Sequence, residues 1–305
     1  MGQNNQTETS IINSLKDIVD KDNLNLLGWN EDAVAIPIET GFLVLNTDSW
    51  VGSTDKPEDL SYFDCGYRAL INSASDIIAK GTKPEYAVVS LSVPNEIKNK
   101  IKEIISGVVR ACEDYNLHYL GGDLNSAKDL VIDVTTWGLS KSQPIRRDGA
   151  LVGDYLYWLG PDLGETGAAL GILVHNWIGD KNKALRIYGK PKLFPDFMNI
   201  QASSAIDCSD GLAKSLYFIC EMSNVGIDIE EIDCNDWVSL VAKQNDIKIT
   251  DLVLYGGEEL GIIFTSARNL DATHNLQRIG KVVVGEVVRF QGKKVEQKGW
   301  DHFDH

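Results

Sequence analysis

Five short acidic motifs lie between residues 31 and 211 of this chain, and most of them follow segments with the character of β-strands. They are Glu31-Asp32-Ala33, Thr47-Asp48, Ser75-Asp76, Gly121-Gly122-Asp123 and Asp207-Cys208-Ser209-Asp210-Gly211. Carboxylates repel one another, so a fold that gathers them needs a cation between them. Oxygen ligands suit Mg²⁺, which completes its coordination shell with water and substrate phosphates. If the fold brings the motifs together, the sequence therefore predicts phosphate chemistry.

The overall charge limits the kinds of partner. The chain has 305 residues, with 44 acidic against 29 basic side chains and a formal net charge of −15. A nucleic-acid surface needs clustered Lys and Arg, so we expect no nucleic-acid partner. Anionic phosphates are compatible with this charge, because bound Mg²⁺ reverses the sign of the local field.

The cysteines and the apolar segments indicate a reducing, aqueous compartment. The five cysteines are odd in number and form no C-x-x-C pair, so neither a disulfide framework nor a zinc site is indicated. Residues 1–10 are polar and lack the apolar core of a secretory signal. No apolar run approaches the length that spans a bilayer. We therefore expect a cytoplasmic protein without a membrane partner.

Local patterns place the acidic motifs on particular elements. Residues 42–47 are predicted to form a strand that delivers Asp48 to its end. A helix is predicted over about residues 61–80, and it carries Asp76 among apolar neighbours. A short strand over residues 118–120 is predicted to end at the Gly-Gly-Asp motif.

The chain divides at a segment that interrupts this pattern. Residues 140–153 contain Pro144 and several charged side chains, and we interpret them as a connection between two lobes, 1–140 and 141–305. Each half mixes strands and helices, so the predicted fold class is α+β with two α/β lobes. The second lobe is expected to hold a mixed sheet with helices, including a helix near residues 269–278.

Several common catalytic motifs are absent from the sequence. There is no G-x-x-x-x-G-K-[ST] phosphate loop, no G-x-G-x-x-G after a strand, and no protein-kinase H-R-D set. H-E-x-x-H and G-x-S-x-G are missing as well. A nucleotide bound by this chain would therefore have its phosphates held largely through metal ions.

Each motif taken alone also has an ordinary structural explanation. Asp48 at a strand end, Asp123 after two glycines and Asp210 before a glycine are typical of helix caps and turns. Arg147 is either a solvated charge or a clamp for phosphate, to which its planar fork of donors is suited. Trp300 either belongs to the core or stacks on a flat ring. These alternatives stay open on the residue pattern alone.

The order of the motifs resembles that of the thiamine-monophosphate kinase family, within the aminoimidazole-ribonucleotide-synthetase-like superfamily. In the first half, G-D-D-A corresponds to residues 30–33, T-T-D to 46–48, N-L-S-D-L-A-A-M-G-A-x-P to 73–84 and G-G-D to 121–123. In the second half, R-S-G-A-x-x-G-D corresponds to residues 147–154, I-D-x-S-D-G-L to 206–212 and S-G-G-E-D to 255–259. The terminal K-G-Y-D-H-F corresponds to residues 298–303, with Trp300 in place of Tyr.

This resemblance implies ATP-dependent phosphorylation of thiamine monophosphate to thiamine diphosphate. It implies a cluster of Mg²⁺ ions held by Asp32, Asn46, Thr47, Asp48, Asp76, Asp123, Asp207 and Asp210. It assigns ATP to Gly122, Asp123, Arg147 and Ser209, and the thiamine part to Asp55, Glu258 and Trp300. It also implies a homodimer in which the N-terminal lobes form a shared β-barrel. No side chain is expected to act as a general base, since the acceptor phosphate has its second pKa at about 6 and is already ionised.

The chain departs from the family pattern near the predicted acceptor site. Asp55 stands where the family usually has His, and the family's E-D-Y-E-L-L becomes Glu258-Glu259-Leu260-Gly261-Ile262-Ile263. Glu31 replaces the first Asp of the opening pair, so we place it behind the metal ligands. The alternatives are another ATP-dependent superfamily member, such as an aminoimidazole ribonucleotide synthetase, and a non-catalytic regulator that binds Mg-nucleotide. A selenophosphate synthetase is disfavoured because no cysteine precedes Cys65.

Overall fold

The N-terminal half is built on a five-stranded sheet. The computed structural model describes residues 8–19, 24–270 and 275–301. The sheet has the strand order β1-β2-β5-β3-β4, and every pairing is antiparallel except β3 with β4. Its elements in chain order are α1 (Glu8–Val19), β1 (Val34–Ile38), β2 (Gly41–Val51), α2 (Gly52–Asp55), α3 (Tyr62–Ala79), β3 (Tyr86–Val93), α4 (Ile101–Tyr115), β4 (His118–Ser126) and β5 (Val131–Ser140).

Helices cover one face of this sheet. Residues of β3 and β5 alternate between buried and half-buried positions, as expected when one face is packed and the other is not. The packed face lies against α3, which contacts β2 and β5 and packs against α4. Ser61 caps α3, because its hydroxyl accepts a hydrogen bond from the amide of Asp64 at 3.0 Å. We call the other surface of the sheet the open face.

The C-terminal half contains a seven-stranded mixed sheet with the order β12-β11-β8-β10-β6-β9-β7. Most of its helices lie between β6 and β9 along the chain. The elements are β6 (Tyr155–Leu159), α5 (Glu165–Val174), α6 (Lys181–Gly189), β7 (Ser204–Asp207), α7 (Leu212–Ser223), β8 (Gly226–Ile229), α8 (Asp236–Gln244), α9 (Ile249–Tyr255), β9 (Ile262–Ser266), β10 (Leu276–Val283), β11 (Val288–Phe290) and β12 (Lys293–Lys294).

Helix α3 joins the two halves. It contacts β7 and α6 of the second half as well as the first sheet. One core cluster accordingly contains Leu70 and Ile78 of α3 together with Tyr157 and Phe264 of the second sheet. Residues on α3 are therefore held rigidly between both halves. Within the part of the chain that the structure describes, no helix is both long and apolar enough to cross a membrane.

The predicted mixture of strands and helices, with a mixed second sheet, is confirmed. The five-stranded sheet does not close into a barrel within the described residues, so the dimeric barrel stays a prediction that needs a partner chain. The two sheets lie at residues 34–140 and 155–294. The division into domains at residue 140 likewise stays a prediction.

Three predicted element boundaries need correction. Strand β2 continues to Val51, so Asp48 lies within it, and β4 continues through the Gly-Gly-Asp motif to Ser126. Gly122 makes this continuation possible, since a Cβ atom there would lie 1.7 Å from the carbonyl oxygen of Val89 on β3. The helix predicted near residues 269–278 is wrong over 276–278, where β10 begins. Residues 271–274 lie outside the described residues.

Candidate active site

Three carboxylates from distant parts of the chain meet beside α3. Asp32 precedes β1, Asp76 lies on α3 and Asp207 ends β7. Each offers one carboxylate oxygen, and these oxygens lie within 4.8 Å of one another. We call these three residues the carboxylate cluster. The structure thus brings together acids that the sequence predicted to share a site.

Neutral side chains orient two members of the cluster. The Asn46 amide donates a hydrogen bond to Asp76 Oδ2 at 2.5 Å. The Ser75 hydroxyl donates to Asp207 Oδ2 at 3.1 Å. Asn46 reaches Asp76 because it projects from β2 toward α3, and Asp48 lies two residues further along on the same side of the strand. The predicted ligands Asn46 and Asp48 therefore face the cluster.

Two cations contact the cluster at Asp32. Lys80 Nζ lies 2.5 Å from Asp32 Oδ2 and 2.5 Å from Glu31 Oε2, and the Arg147 guanidinium donates to Asp32 Oδ1. The Arg147 amide also donates to Glu31 Oε1 at 2.9 Å. Burial lowers the pKa of Lys80, and the charge of Glu31 opposes that shift. Glu31 therefore contacts both cations and helps to hold them in place beside Asp32.

The acids around the cluster are costly to ionise without added positive charge. Burial, with contributions from Glu258 and Asp207, raises the pKa of Asp48 to about 7. Burial and the neighbouring Asp207 raise the pKa of Asp76 well above its usual value, and burial also raises the pKa of Asp207. Closely spaced carboxylate and amide oxygens with these properties fit a hard divalent cation such as Mg²⁺. The residues present therefore suit the metal that the sequence predicted.

A cavity of about 820 Å³ opens beside Asp32. Asn46, Thr47, Arg147 and Asp210 contribute polar groups to its wall. Apolar side chains cover another part of the wall, namely Trp29, Ile36, Leu45 and Phe218. A cavity that joins an apolar wall to cations and carboxylates suits a ligand with a flat apolar part and a phosphate part.

A second cavity of about 660 Å³ contains all three residues that were predicted to contact the acceptor. Asp55, Glu258 and Trp300 line it. Besides burial, the charges of Glu258, Asp207 and Asp55 raise the pKa of Asp48. Asp48 therefore interacts electrostatically with residues of both the second cavity and the carboxylate cluster.

Arg68 lies behind two residues that line the second cavity, Glu258 and Tyr188. Its guanidinium is fully buried, forms an ion pair with Glu258 and lies 3.9 Å from the centre of the Tyr188 ring. The Tyr188 hydroxyl donates to the Asp55 carbonyl oxygen at 2.6 Å. One buried cation on α3 thus positions two of the predicted acceptor residues. This role could not be predicted from the sequence, because Arg68 belongs to none of the motifs.

Trp300 is held at the second cavity by the segment that follows β7. Its amide donates to the Asp210 carbonyl oxygen at 3.0 Å, and Lys214 Nζ donates to the Trp300 carbonyl oxygen at 2.6 Å. Lys214 also pairs with the Asp210 carboxylate at 2.7 Å. Asp210 and Trp300, which line different cavities, are therefore fixed to each other.

Glu259 has a structural role that sequence reasoning missed. Its carboxylate accepts hydrogen bonds from the amides of Gly164 and Thr166, at 2.9 and 3.3 Å, at the start of α5. The neighbouring Glu258 and Leu260 both have positive φ, at 69° and 53°, an unfavourable conformation for such side chains. Anchoring Glu259 at the helix end secures this strained turn and so directs Glu258 into the second cavity.

Several residues predicted to bind the metal ions or ATP do not direct a side chain to the carboxylate cluster. Thr47 bonds to Thr135 at 2.5 Å on the open face, and Asp123 pairs with Ser90 in the strand register on that same face. Gly122 is adjacent to Asp123, and Ser209 contributes its carbonyl oxygen to the Glu258 amide at 2.5 Å. Alternation along β2 explains why Thr47 and Asp48 point to opposite faces.

Comparison with known proteins identifies the family. Residues 30–140 match the family of AIR synthase related protein, N-terminal domain. Thiamine-monophosphate kinase from Nitrosopumilus maritimus is 30% identical over 283 residues, which cover 86% of this chain and 89% of that protein. The enzyme of the same name from Pyrococcus abyssi is 32% identical over 290 residues, covering 89% of each chain. The chain belongs to the thiamine-monophosphate kinase family.

Solved structures agree with this membership of the thiamine-monophosphate kinase family. The structure of AaThiL complexed with AMPPCP and TMP superposes with a TM-score of 0.89 at 25% identity, over 99% of each chain. Thiamine monophosphate kinase from Aquifex aeolicus gives a TM-score of 0.83 at 25% identity and covers 94% of this chain and 97% of that one. Escherichia coli HypE, at 17% identity and a TM-score of 0.67, shares the fold alone.

The buried Glu259 carboxyl predicts how stability depends on pH. Burial raises the pKa of Glu259 to about 8 in the folded protein, above the usual value of 4.5. Between these two values the folded state holds a proton that the unfolded state has lost, so stability falls as pH rises. We expect the wild type to lose up to about 1.4 kcal/mol per pH unit relative to Glu259→Gln over pH 5 to 8.

Chemical denaturation of both proteins at several pH values measures this difference. Glu286→Gln serves as a control for the same substitution, because Glu286 is exposed in the bend between β10 and β11. Parallel pH profiles for wild type and Glu259→Gln would contradict the assignment.

Proposed function

We propose that this protein transfers the γ-phosphoryl group of ATP directly to thiamine monophosphate and forms thiamine diphosphate. The observation that carries the proposal is a pair of cavities joined beside the carboxylate cluster: Asp32 of the cluster lines the first cavity, and Trp300 of the second donates to Asp210 of the first. One cavity takes the nucleotide beside Arg147, and the other takes thiamine monophosphate beside Glu258 and Trp300. The likeness to AaThiL complexed with AMPPCP and TMP supports this pair of ligands.

The cluster and its surroundings would hold Mg²⁺. The proposed ligands are Asp32, Asn46, Thr47, Asp48, Asp76, Asp123, Asp207 and Asp210. Bound there, Mg²⁺ would neutralise phosphate charge so that two polyanions can approach. The raised pKa values of Asp48, Asp76 and Asp207 support this assignment, because these acids lack sufficient positive charge in the protein alone.

The chain itself contributes position and charge rather than a base. The acceptor phosphate is ionised at neutral pH, with its second pKa at about 6, and needs no proton acceptor. Arg147 presents a fork of donors beside Asp32, and such a fork matches phosphate oxygens. Glu258, held by Arg68, and Trp300 orient the thiamine part. Catalysis then rests on alignment and electrostatic stabilisation of an in-line transfer.

A homodimer would complete the nucleotide site. The open face carries Thr47 and Asp123, both of which are proposed to serve ATP and its metals. Strand β4 lies at the edge of the sheet and exposes Leu120 and Leu124, at 58% and 55%. An exposed edge strand with apolar side chains favours pairing with another chain. We propose that a second copy covers this face, closes the β-barrel and places Gly122 and Asp123 beside bound ATP, in a cytoplasmic enzyme.

Removing one charge from the cluster tests the activity. With ATP, Mg²⁺ and thiamine monophosphate, wild type should form thiamine diphosphate, and Asp76→Asn should lose at least about 100-fold in kcat, the usual cost of one important electrostatic group. Asp59→Asn is the control, because Asp59 is exposed and pairs with Lys181 at the surface.

Three results would contradict the proposal. Hydrolysis of ATP without transfer would favour another member of the superfamily, and binding without reaction would favour a regulator. Isolation of a phosphorylated protein after mixing with γ-labelled ATP would exclude direct transfer.

Replacing Trp300 should affect the acceptor more than the nucleotide. Loss of an aromatic ring that stacks on a flat ligand costs about 1–3 kcal/mol. We expect Trp300→Ala to raise the KM for thiamine monophosphate about tenfold or more and to leave the KM for ATP within about twofold. Trp300→Phe keeps a ring and should retain most of the affinity. Initial-rate kinetics with each substrate varied would decide the matter, and an unchanged KM for thiamine monophosphate would exclude stacking.

A further inference from the structure

We infer that Lys80 is a built-in counter-ion of the carboxylate cluster, one that sets how strongly the cluster binds divalent cations. Its ammonium group supplies part of the positive charge that a metal ion would otherwise have to supply. This inference rests on the proposed function only in taking the cluster as the metal site. It makes Lys80 a positioning residue, because it acts through Glu31 and Asp32 rather than on a substrate.

Lys80 is fixed at the end of α3, one turn after Asp76. Its amide donates to the Asp76 carbonyl oxygen at 3.3 Å, and its carbonyl oxygen accepts from the Ile145 amide at 3.0 Å. Its side chain is fully buried, as is that of Glu31. The ammonium group is therefore part of the packed interior. The backbone of Lys80 is fixed by hydrogen bonds at both its amide and its carbonyl oxygen.

The contacts of Lys80 extend beyond a single ion pair. Its ammonium group lies 2.5 Å from a carboxylate oxygen of Glu31 and 2.5 Å from one of Asp32. The Arg147 guanidinium binds the other carboxylate oxygen of Asp32, and the Arg147 backbone amide donates to Glu31. Asp32 also belongs to the group of acids that lie within 4.8 Å of one another. Any metal ion that uses Asp32 must therefore share this carboxylate with two fixed cations.

The charges in direct contact can be counted. In their ionised, metal-binding form Glu31, Asp32, Asp76 and Asp207 carry four negative charges, and Lys80 and Arg147 carry two positive charges. Among these six groups the excess is two negative charges. Without Lys80 the excess would be three, and a divalent cation would be attracted more strongly.

Binding of Mn²⁺ in the absence of nucleotide tests the inference. Four proteins form a cycle: wild type, Lys80→Met, Glu31→Gln and the double variant. Their excess negative charges are two, three, one and two. We expect Mn²⁺ affinity to rise about tenfold in Lys80→Met, to fall about tenfold in Glu31→Gln, and to return to within about threefold of wild type in the double variant. Calorimetry and the electron paramagnetic resonance of free Mn²⁺ measure these affinities.

The possible outcomes test the role of Lys80 separately from the existence of the metal site. A purely structural ion pair would alter stability and leave Mn²⁺ affinity equal in all four proteins, which would overturn the inference. Failure of wild type to bind Mn²⁺ would overturn the metal site and the inference with it. If Lys80→Met does not fold, the Mn²⁺ affinity of Glu31→Gln still tests the inference, because only charge balance predicts that this variant binds Mn²⁺ more weakly. Lys281→Met, which removes an exposed lysine paired with Glu230, should leave the affinity unchanged.

Discussion

Repulsion among Asp32, Asp76 and Asp207 is the interaction on which the rest of this structure depends. Their carboxylates lie close together in a buried position, and burial raises the pKa of Asp76 and of Asp207. A protein can keep such a group ionised only by placing cations around it. Lys80 and Arg147 supply part of that charge from the protein, and a bound divalent cation would supply the rest.

Helix α3 carries residues of both parts of the candidate active site. It carries Asp76 and Lys80 near its C-terminal end and Arg68 nearer its start, so one buried helix faces both the cluster and the second cavity. Because α3 contacts both sheets, the groups that approach ATP and those that approach the acceptor share one rigid support. The adjacent residues Ser209 and Asp210 also connect the two cavities. The Ser209 carbonyl oxygen accepts from the Glu258 amide, and the Asp210 carbonyl oxygen accepts from the Trp300 amide.

Some of this could be predicted from sequence. The helix around Asp76 was predicted because apolar residues recur at helical spacing, and Asp76 among them was an evident anomaly. Strand ends were predicted less well. Gly122 permits β4 to continue where glycine usually signals a break, and β2 runs past Asp48. Since side chains alternate along a strand, the Thr47-Asp48 motif is divided between two faces, which its spacing alone does not reveal.

The supporting residues could not be predicted, because their roles come from contacts across the fold. Arg68 and Glu258 are distant in sequence, as are Glu259 and Gly164. Each of these pairs forms only when α3, α5 and the turn before β9 pack together. Lys80 appeared in sequence as the last residue of a predicted helix, and its burial against Glu31 and Asp32 is visible only in three dimensions.

Anomalous diffraction from crystals grown with Mn²⁺ and a non-hydrolysable ATP analogue tests the central claim most directly. A divalent cation at the carboxylate cluster should give a peak within coordination distance of Asp32, Asp76 and Asp207, with phosphate oxygens of the analogue completing its shell. An analogue bound with no Mn²⁺ at these three carboxylates would contradict the claim that their repulsion is resolved by a metal ion that delivers the nucleotide.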